Sequence, residues 1–220
     1  MKISTVRRPQ LPDSVVVEYR RRRIAVTLAE LAHQGRTAEL TAGEIVTRTG
    51  ISRTSFYGAF DNKEQAMHFA CGLACNQLFA PVLASCSSLP AGGTRVERAV
   101  EGLIDGVLAE PLLAELCLVH GPQMLGRANV LEADAAVESM SLALGMDPSW
   151  SAKMERMGVA PEEFAAAAVL AAVGNRLRRG DALVRSELHG ELLAIARGVL
   201  GETTGPSSAH GSARSSLIES

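Results

Sequence analysis

Aromatic residues are scarce in this chain: one Trp, two Tyr and five Phe among 220 residues. Its core must come from aliphatic side chains, and the alanine and leucine that dominate here favour helices. The N-terminal residues lack the apolar stretch of a signal peptide, and no uninterrupted apolar run looks long enough to span a bilayer. The expectation is a soluble, cytoplasmic protein with no membrane partner, whose four cysteines stay reduced. Signatures of catalysis are missing as well. There is no HExxH, GxSxG, P-loop or GxGxxG. No nucleophile, base and oxyanion donor gather into one set, so neither an enzyme nor a bound cofactor or metal is expected.

A strong overall charge is also absent. The net charge of −2 does not mark the whole chain as a nucleic-acid binder. The distribution says more. Residues 1–65 hold 11 Lys/Arg against 7 Asp/Glu, whereas residues 66–220 hold 11 against 17. A basic N-terminal third on an acidic body is the asymmetry of a small DNA-reading head.

The densest local signal runs from Thr41 to Lys63. Thr41 and Glu44 have the spacing of a capping box that opens a first short helix, with Ile45 and Val46 on its apolar side. Gly50 suits a tight turn because it reaches positive φ without a Cβ clash. Ser52 can cap a second short helix reaching about Phe60, in which Phe56 and Phe60 share a buried face. Arg53, Thr54, Ser55 and Tyr57 surround that face with hydrogen-bond donors suited to phosphates or base edges. Asp61 and Glu64 read as a second cap pair opening a long helix. Lys63 lies in its first turn, beside backbone amides that can hold a phosphate. Helix, glycine turn and donor-rich helix make a helix-turn-helix.

Thr41, Ile45, Gly50, Ile51, Ser52, Tyr57, Phe60 and Lys63 together resemble the DNA-binding segment of TetR family transcriptional regulators. Several positions depart from that pattern. Val46 and Thr49 stand where alanine is usual, and Ala59 where a histidine often meets phosphate. Arg36 replaces an apolar residue, in a loop one residue long for the family. The resemblance implies an all-α fold, with an N-terminal three-helix helix-turn-helix domain before a C-terminal helical ligand-binding and dimerisation domain. It implies that Thr41, Ser52, Arg53, Ser55, Tyr57 and Lys63, with Thr54 beside them, face double-stranded operator DNA. Lys63, Tyr57 and Thr41 would hold phosphates. The Arg53 fork suits guanine. It further implies a homodimer through the last two helices, and a repressor released from a palindromic operator by a small apolar effector. No motif marks the effector pocket. Two other readings remain open at this stage. One is a helical small-molecule-binding protein or enzyme whose helix-turn-helix only packs. The other is a DNA binder without a ligand.

Along the chain, residues 1–12 read as a flexible basic arm carrying Lys2, Arg7 and Arg8. Residues 13–60 form the DNA-binding domain, residues 61–201 the regulatory and dimerisation domain, and residues 202–220 a Ser/Gly-rich disordered tail. A first helix should run from Asp13 or Ser14 to about His33, with Val17, Ile24, Leu28 and Leu31 inward. The four consecutive arginines Arg20 to Arg23 cannot share one face, so some meet solvent or phosphate. The helix after Asp61 should reach about Ala84, and Pro81 either kinks or ends it. Later helices are expected over about 95–109, with Val96, Val100, Leu103, Ile104 and Val107 on the inner side, from Leu112 to a stop at Gly121-Pro122, over 128–144, from Pro161 to Gly180, and over about 186–200. Residues 145–160, with Trp150, read as irregular. Phe164, Val169, Val173, Leu188, Leu192, Ile195 and Val199 are candidates for the dimer face or for an ordinary core. His68, Cys71 and Cys75 share a helical face and fit either small core residues or a soft-metal or oxidation site. His120 fits either a ligand contact or a structural role.

Overall fold

The first helix, α1 (Asp13–His33), ends on Gly35 at φ 71°, where the Arg36 and Gly35 amides close back on Leu31 and Ala32. The computed structural model describes residues 13–36, 40–90, 93–124, 130–144 and 161–200, and helices are the regular structure among them. The proposed arm, the proposed tail and the Trp150 segment lie outside the described residues. Next come α2 (Ala42–Thr49), α3 (Arg53–Tyr57), α4 (Lys63–Cys86), α5 (Gly93–Ala109) and α6 (Pro111–Glu115). A π turn (Leu116–His120) leads from α6 straight into α7 (Gly121–Met124). α8 (Val130–Leu144), α9 (Pro161–Arg179) and α10 (Arg185–Leu200) complete the order.

Two apolar cores share α4. The N-terminal core gathers Ile24, Leu28 and Leu31 of α1, Ile45 of α2, Phe56 and Phe60 around α3, and Ala66 to Ala74 on one side of α4. Leu113 and Leu116, from the middle of the sequence, close it. The second core begins one turn further along α4, at Leu78, and is filled by α5, α8, α9 and α10. By length and composition α4 is long and apolar enough to cross a membrane, with a mean hydropathy of 1.4, although His68, Asn76 and Gln77 interrupt its apolar run. Here Ala66, Ala70, Ala74, Leu78 and Val82 along it are buried in the two cores.

Three sequence expectations need correction. Pro81 does not end α4, which continues to Cys86. Burial of Val82 and Cys86, and the Ser85 hydroxyl donating to the Val82 and Arg98 carbonyls, carry the helix past the missing amide. Gly121-Pro122 does not stop the helix that starts at Pro111. Gly121 keeps right-handed helical angles, and its amide reaches five residues back to Leu116. The long helix is capped by Asn62 rather than Asp61. Asn62 Oδ1 accepts from the Gln65 amide at 2.8 Å, and Gln65 Oε1 accepts from the Asp61 amide at 2.6 Å.

α4 and α5 touch backbone to backbone. A methyl group on Gly102 would come within 2.7 Å of the Val82 Cα, and one on Gly106 would land on the Leu78 carbonyl oxygen. Arg95, at the start of α5, donates to the Cys86 carbonyl at the end of α4, to the Leu89 carbonyl just beyond it and to the Leu142 and Ala143 carbonyls at the end of α8. One guanidinium thus satisfies acceptors that two helix ends leave unpaired.

Candidate nucleic-acid interface

Local chemistry builds the helix-turn-helix. Thr41 Oγ1 accepts from the Glu44 amide at 3.2 Å. The Glu44 carboxylate turns to Arg36 in an ion pair. Gly50 takes the left-handed conformation, φ 65°, and returns its amide to Val46. Thr49 is buried, and its hydroxyl donates to the Ile45 carbonyl at 2.6 Å, which reconciles a polar residue with a position where alanine is usual. Ser52 caps α3 through the Ser55 amide at 3.0 Å, and its hydroxyl donates to the Ser55 hydroxyl at 2.9 Å.

α3 is short and two-faced. Phe56 is fully buried and Phe60 nearly so, while Tyr57, next in sequence, is 56% exposed. The Tyr57 ring meets Phe56 edge-on at 5.3 Å, which fixes where the phenol stands. Arg53 and Thr54 are exposed beside it, Ser52 and Thr41 are exposed at the rim, and Ser55 is half-buried. The seven residues singled out from sequence therefore do not stand equally. Arg53, Thr54 and Tyr57 project from the surface. Ser52 and Ser55 also hold the cap. Lys63 is half-buried, its Nζ donating to the Leu40 carbonyl at 2.9 Å and lying 3.8 Å from Glu64. An ammonium has three donors, so those left over point from the head of α4.

Sequence reading missed what anchors this surface. Arg21 donates from Nε and Nη2 to the Ala59 carbonyl at 3.3 and 3.2 Å, just after α3. Its guanidinium also lies 5.5 Å from the Phe60 ring centre and 5.7 Å from that of Phe69. The arginine block is thus divided by function. Arg21 clamps the end of α3, Arg22 pairs with Glu110 of the body, and exposed Arg23 lies by Gly50 at the turn. Arg21→Ala should lower stability by about 1–2 kcal/mol through the lost charged hydrogen bond and ring contact, read as a lower denaturant midpoint.

The head is tied to the body at α6 and the π turn. Glu115 is held between His33 Nδ1 of α1 at 2.7 Å and His120 Nε2 at 3.0 Å, so His120 serves structure. Cys71 is buried in the N-terminal core and His68 is exposed. Among the described residues no three His, Cys, Asp or Glu side chains converge as a metal site requires. One open cleft on the body, about 540 Å³ between α9 and α10, is lined by Arg176, Arg179, Asp181, Glu187 and Glu191 among others. It is polar, unlike the apolar pocket expected from the resemblance. The Glu191 hydrogen bond, at 2.7 Å, raises the Arg176 pKa above its ordinary value.

No protein-family model and no curated protein matches this sequence. Solved structures do. A TetR-like transcriptional regulator from Rhodococcus sp. RHA1 superposes with a TM-score of 0.63 at 17% identity, covering 87% of this chain and 100% of the other. A gamma-butyrolactone receptor (ArpA-like protein) superposes with a TM-score of 0.53 at 16% identity, covering 86% of this chain and 100% of the other. The chain has the all-α fold of TetR-like regulators, a helix-turn-helix head on a helical body.

Proposed function

We propose that this protein is a cytoplasmic, homodimeric TetR-like transcriptional regulator. In this reading each protomer lays α3 in a major groove, and the dimer reads a palindromic operator. One observation carries it: α3 buries Phe56 while presenting Arg53, Thr54 and Tyr57 to solvent from a head held rigid by caps. A helix-turn-helix used only for packing has no need to project an arginine and a tyrosine together. Arg53 reads a base edge, Tyr57 and Thr41 hold phosphates, Lys63 contributes at the N-terminus of α4, and Ser52, Thr54 and Ser55 complete the contact surface.

Dimerisation through the last two helices fits their exposed faces. Phe164 (57% exposed), Ala167 and Ala171 on α9 lie on the solvent side with Gly190, Ala194 and Gly198 on α10. Small residues at that spacing let a two-fold mate approach closely, as in a four-helix interface. Val169, Val173, Leu188 and Leu192 are buried within the protomer instead, and Ile195 and Val199 pack partly against that core. Of the dimer-face candidates read from sequence, Phe164 alone is exposed.

A small apolar effector that releases the operator completes the reading. The superposition with a gamma-butyrolactone receptor supports a small-molecule ligand. A differential affinity of about 1–3 kcal/mol between the two head states is enough to regulate. Thermal shift against a panel of aliphatic compounds, with DNA release as the second readout, tests this part.

Gel shifts with DNA flanking its own gene test the assignment of roles. Arg53→Ala should relax sequence preference at one base pair by about 1–3 kcal/mol. Lys63→Ala should weaken binding evenly across sequences and reduce the salt slope by about 1. Equal losses from both variants on every DNA would defeat this division.

A further inference from the structure

Cys75 of α4 and Cys117 of the π turn, 42 residues apart in sequence, bring their Sγ atoms to 2.9 Å. A disulfide has its sulfurs about 2.0 Å apart, so closing the bond asks for movement of about 0.9 Å. Both side chains are half-buried rather than sealed. The remaining cysteines are placed differently. Cys71 and Cys86 are buried, and the Cys86 thiol lies 3.7 Å from the Arg95 carbonyl. Cys71 is one turn from Cys75 on the same helix, a poor geometry for a bridge.

The position of the pair gives it consequence. Cys117 packs against both apolar cores. On α4, Ala74 belongs to the N-terminal core and Leu78 to the body core, with Cys75 between them. On the other side, Leu116 closes the N-terminal core and Ala114 belongs to the body core. The two sulfurs therefore meet where head joins body. The π turn is what holds Cys117 there, and such turns recur at functional positions.

We infer that Cys75 and Cys117 form a reversible disulfide, driven by hydrogen peroxide, that staples α4 to the π turn and locks the head against the body. One thiolate attacks the peroxide O–O bond. An S–O bond forms, the O–O bond breaks, and the departing hydroxide takes up a proton to leave as water. The second thiol then attacks the sulfenic sulfur. The S–S bond forms, the S–O bond breaks, and the hydroxyl leaves with the thiol proton as a second water. Two thiols give up two electrons and one hydrogen peroxide accepts them. The effect on operator binding rests on the function proposed above, because a fixed α4 fixes the tilt at which α3 is presented.

Treatment of the full chain with hydrogen peroxide, followed by mass spectrometry and amide hydrogen exchange, tests the staple without DNA. The intact mass should fall by two hydrogens, a Cys75–Cys117 linked peptide should appear, and dithiothreitol should reverse both. Cys75→Ser and Cys117→Ser should each abolish the link. Amides of α4 around Cys75 and of residues 116–120 should exchange roughly tenfold more slowly in the oxidised protein. Oxidation to sulfinic acid without a link, a link between other cysteines, or a linked protein with unchanged exchange would each overturn the inference. Peptide mapping of the unsubstituted protein decides this even if a variant fails to fold. A reduced protein that binds no DNA defeats the regulatory reading and leaves the staple standing. A staple that never forms defeats only the staple.

Discussion

Phe56→Ala should cost the protein about 3–5 kcal/mol, the range for emptying a fully buried aromatic site. Phe56 is fully enclosed in the N-terminal core, with the Phe60 ring centre 6.1 Å away. The helix it anchors has only five residues and cannot persist on propensity alone. A loss of that size is a large share of the ~5–15 kcal/mol that holds a typical domain folded. The head should lose α2 and α3, seen as a lower denaturant midpoint and fast amide exchange over residues 42–60. Tyr57→Ala supplies the contrast one residue away. It removes an exposed ring and one edge contact, worth about 1 kcal/mol at most. Stability should stay near that of the parent while DNA affinity falls.

Gly106→Val should be the second large effect, and it acts through the body. The first added carbon would strike the Leu78 carbonyl oxygen of α4. Backbone in the middle of a 24-residue helix cannot rotate away as a side chain can. The cost should lie at or above the top of the ~1–3 kcal/mol seen for overpacked cores. Because α4 continues into the head, the same change should alter how α3 is presented, so DNA binding and thermal midpoint should fall together. Gly72→Ala is the matched control within α4. A methyl there meets nothing within 4 Å, and removing a mid-helix glycine should stabilise by about 0.5–1 kcal/mol. Equal midpoints for Gly106→Val and the parent would show that the two helices do not meet so closely.

What was legible in the sequence is what short-range chemistry decides. Thr41, Gly50 and Ser52 each act on an amide or carbonyl within four residues, and each does so as read. Phe56 and the inward row Val96, Val100, Leu103, Ile104 and Val107 follow from helical periodicity, whereas Phe60 is buried beyond α3, which ends at Tyr57 and not at about Phe60 as expected. The shift from Asp61 to Asn62 shows the limit of such reading. Both Asp61/Glu64 and Asn62/Gln65 have cap spacing, and only the path of the incoming chain selects one. The long-range features were not legible. Arg21 looks like its three neighbours until Ala59 and Phe60 are brought beneath it. Gly102 and Gly106 look like ordinary helix glycines until α4 lies across them. Cys75 was read with Cys71, four residues away, whereas its neighbour in space is Cys117. Four of the seven dimer candidates, Val169, Val173, Leu188 and Leu192, take the alternative core role for the same reason: they share the apolar character of an interface, and α9 and α10 turn them inward against α5 and α8.

Footprinting of the purified protein on the DNA flanking its own gene decides whether α3 reads a paired operator. Two protected half-sites related by a two-fold axis should appear, their centres separated by about one helical turn of 10 base pairs or a multiple of it. Protection should fade as salt rises and vanish with Arg53→Ala and Tyr57→Ala combined. A protein that folds and dimerises yet protects no sequence at low salt, or covers every sequence alike, would contradict a paired operator read by α3.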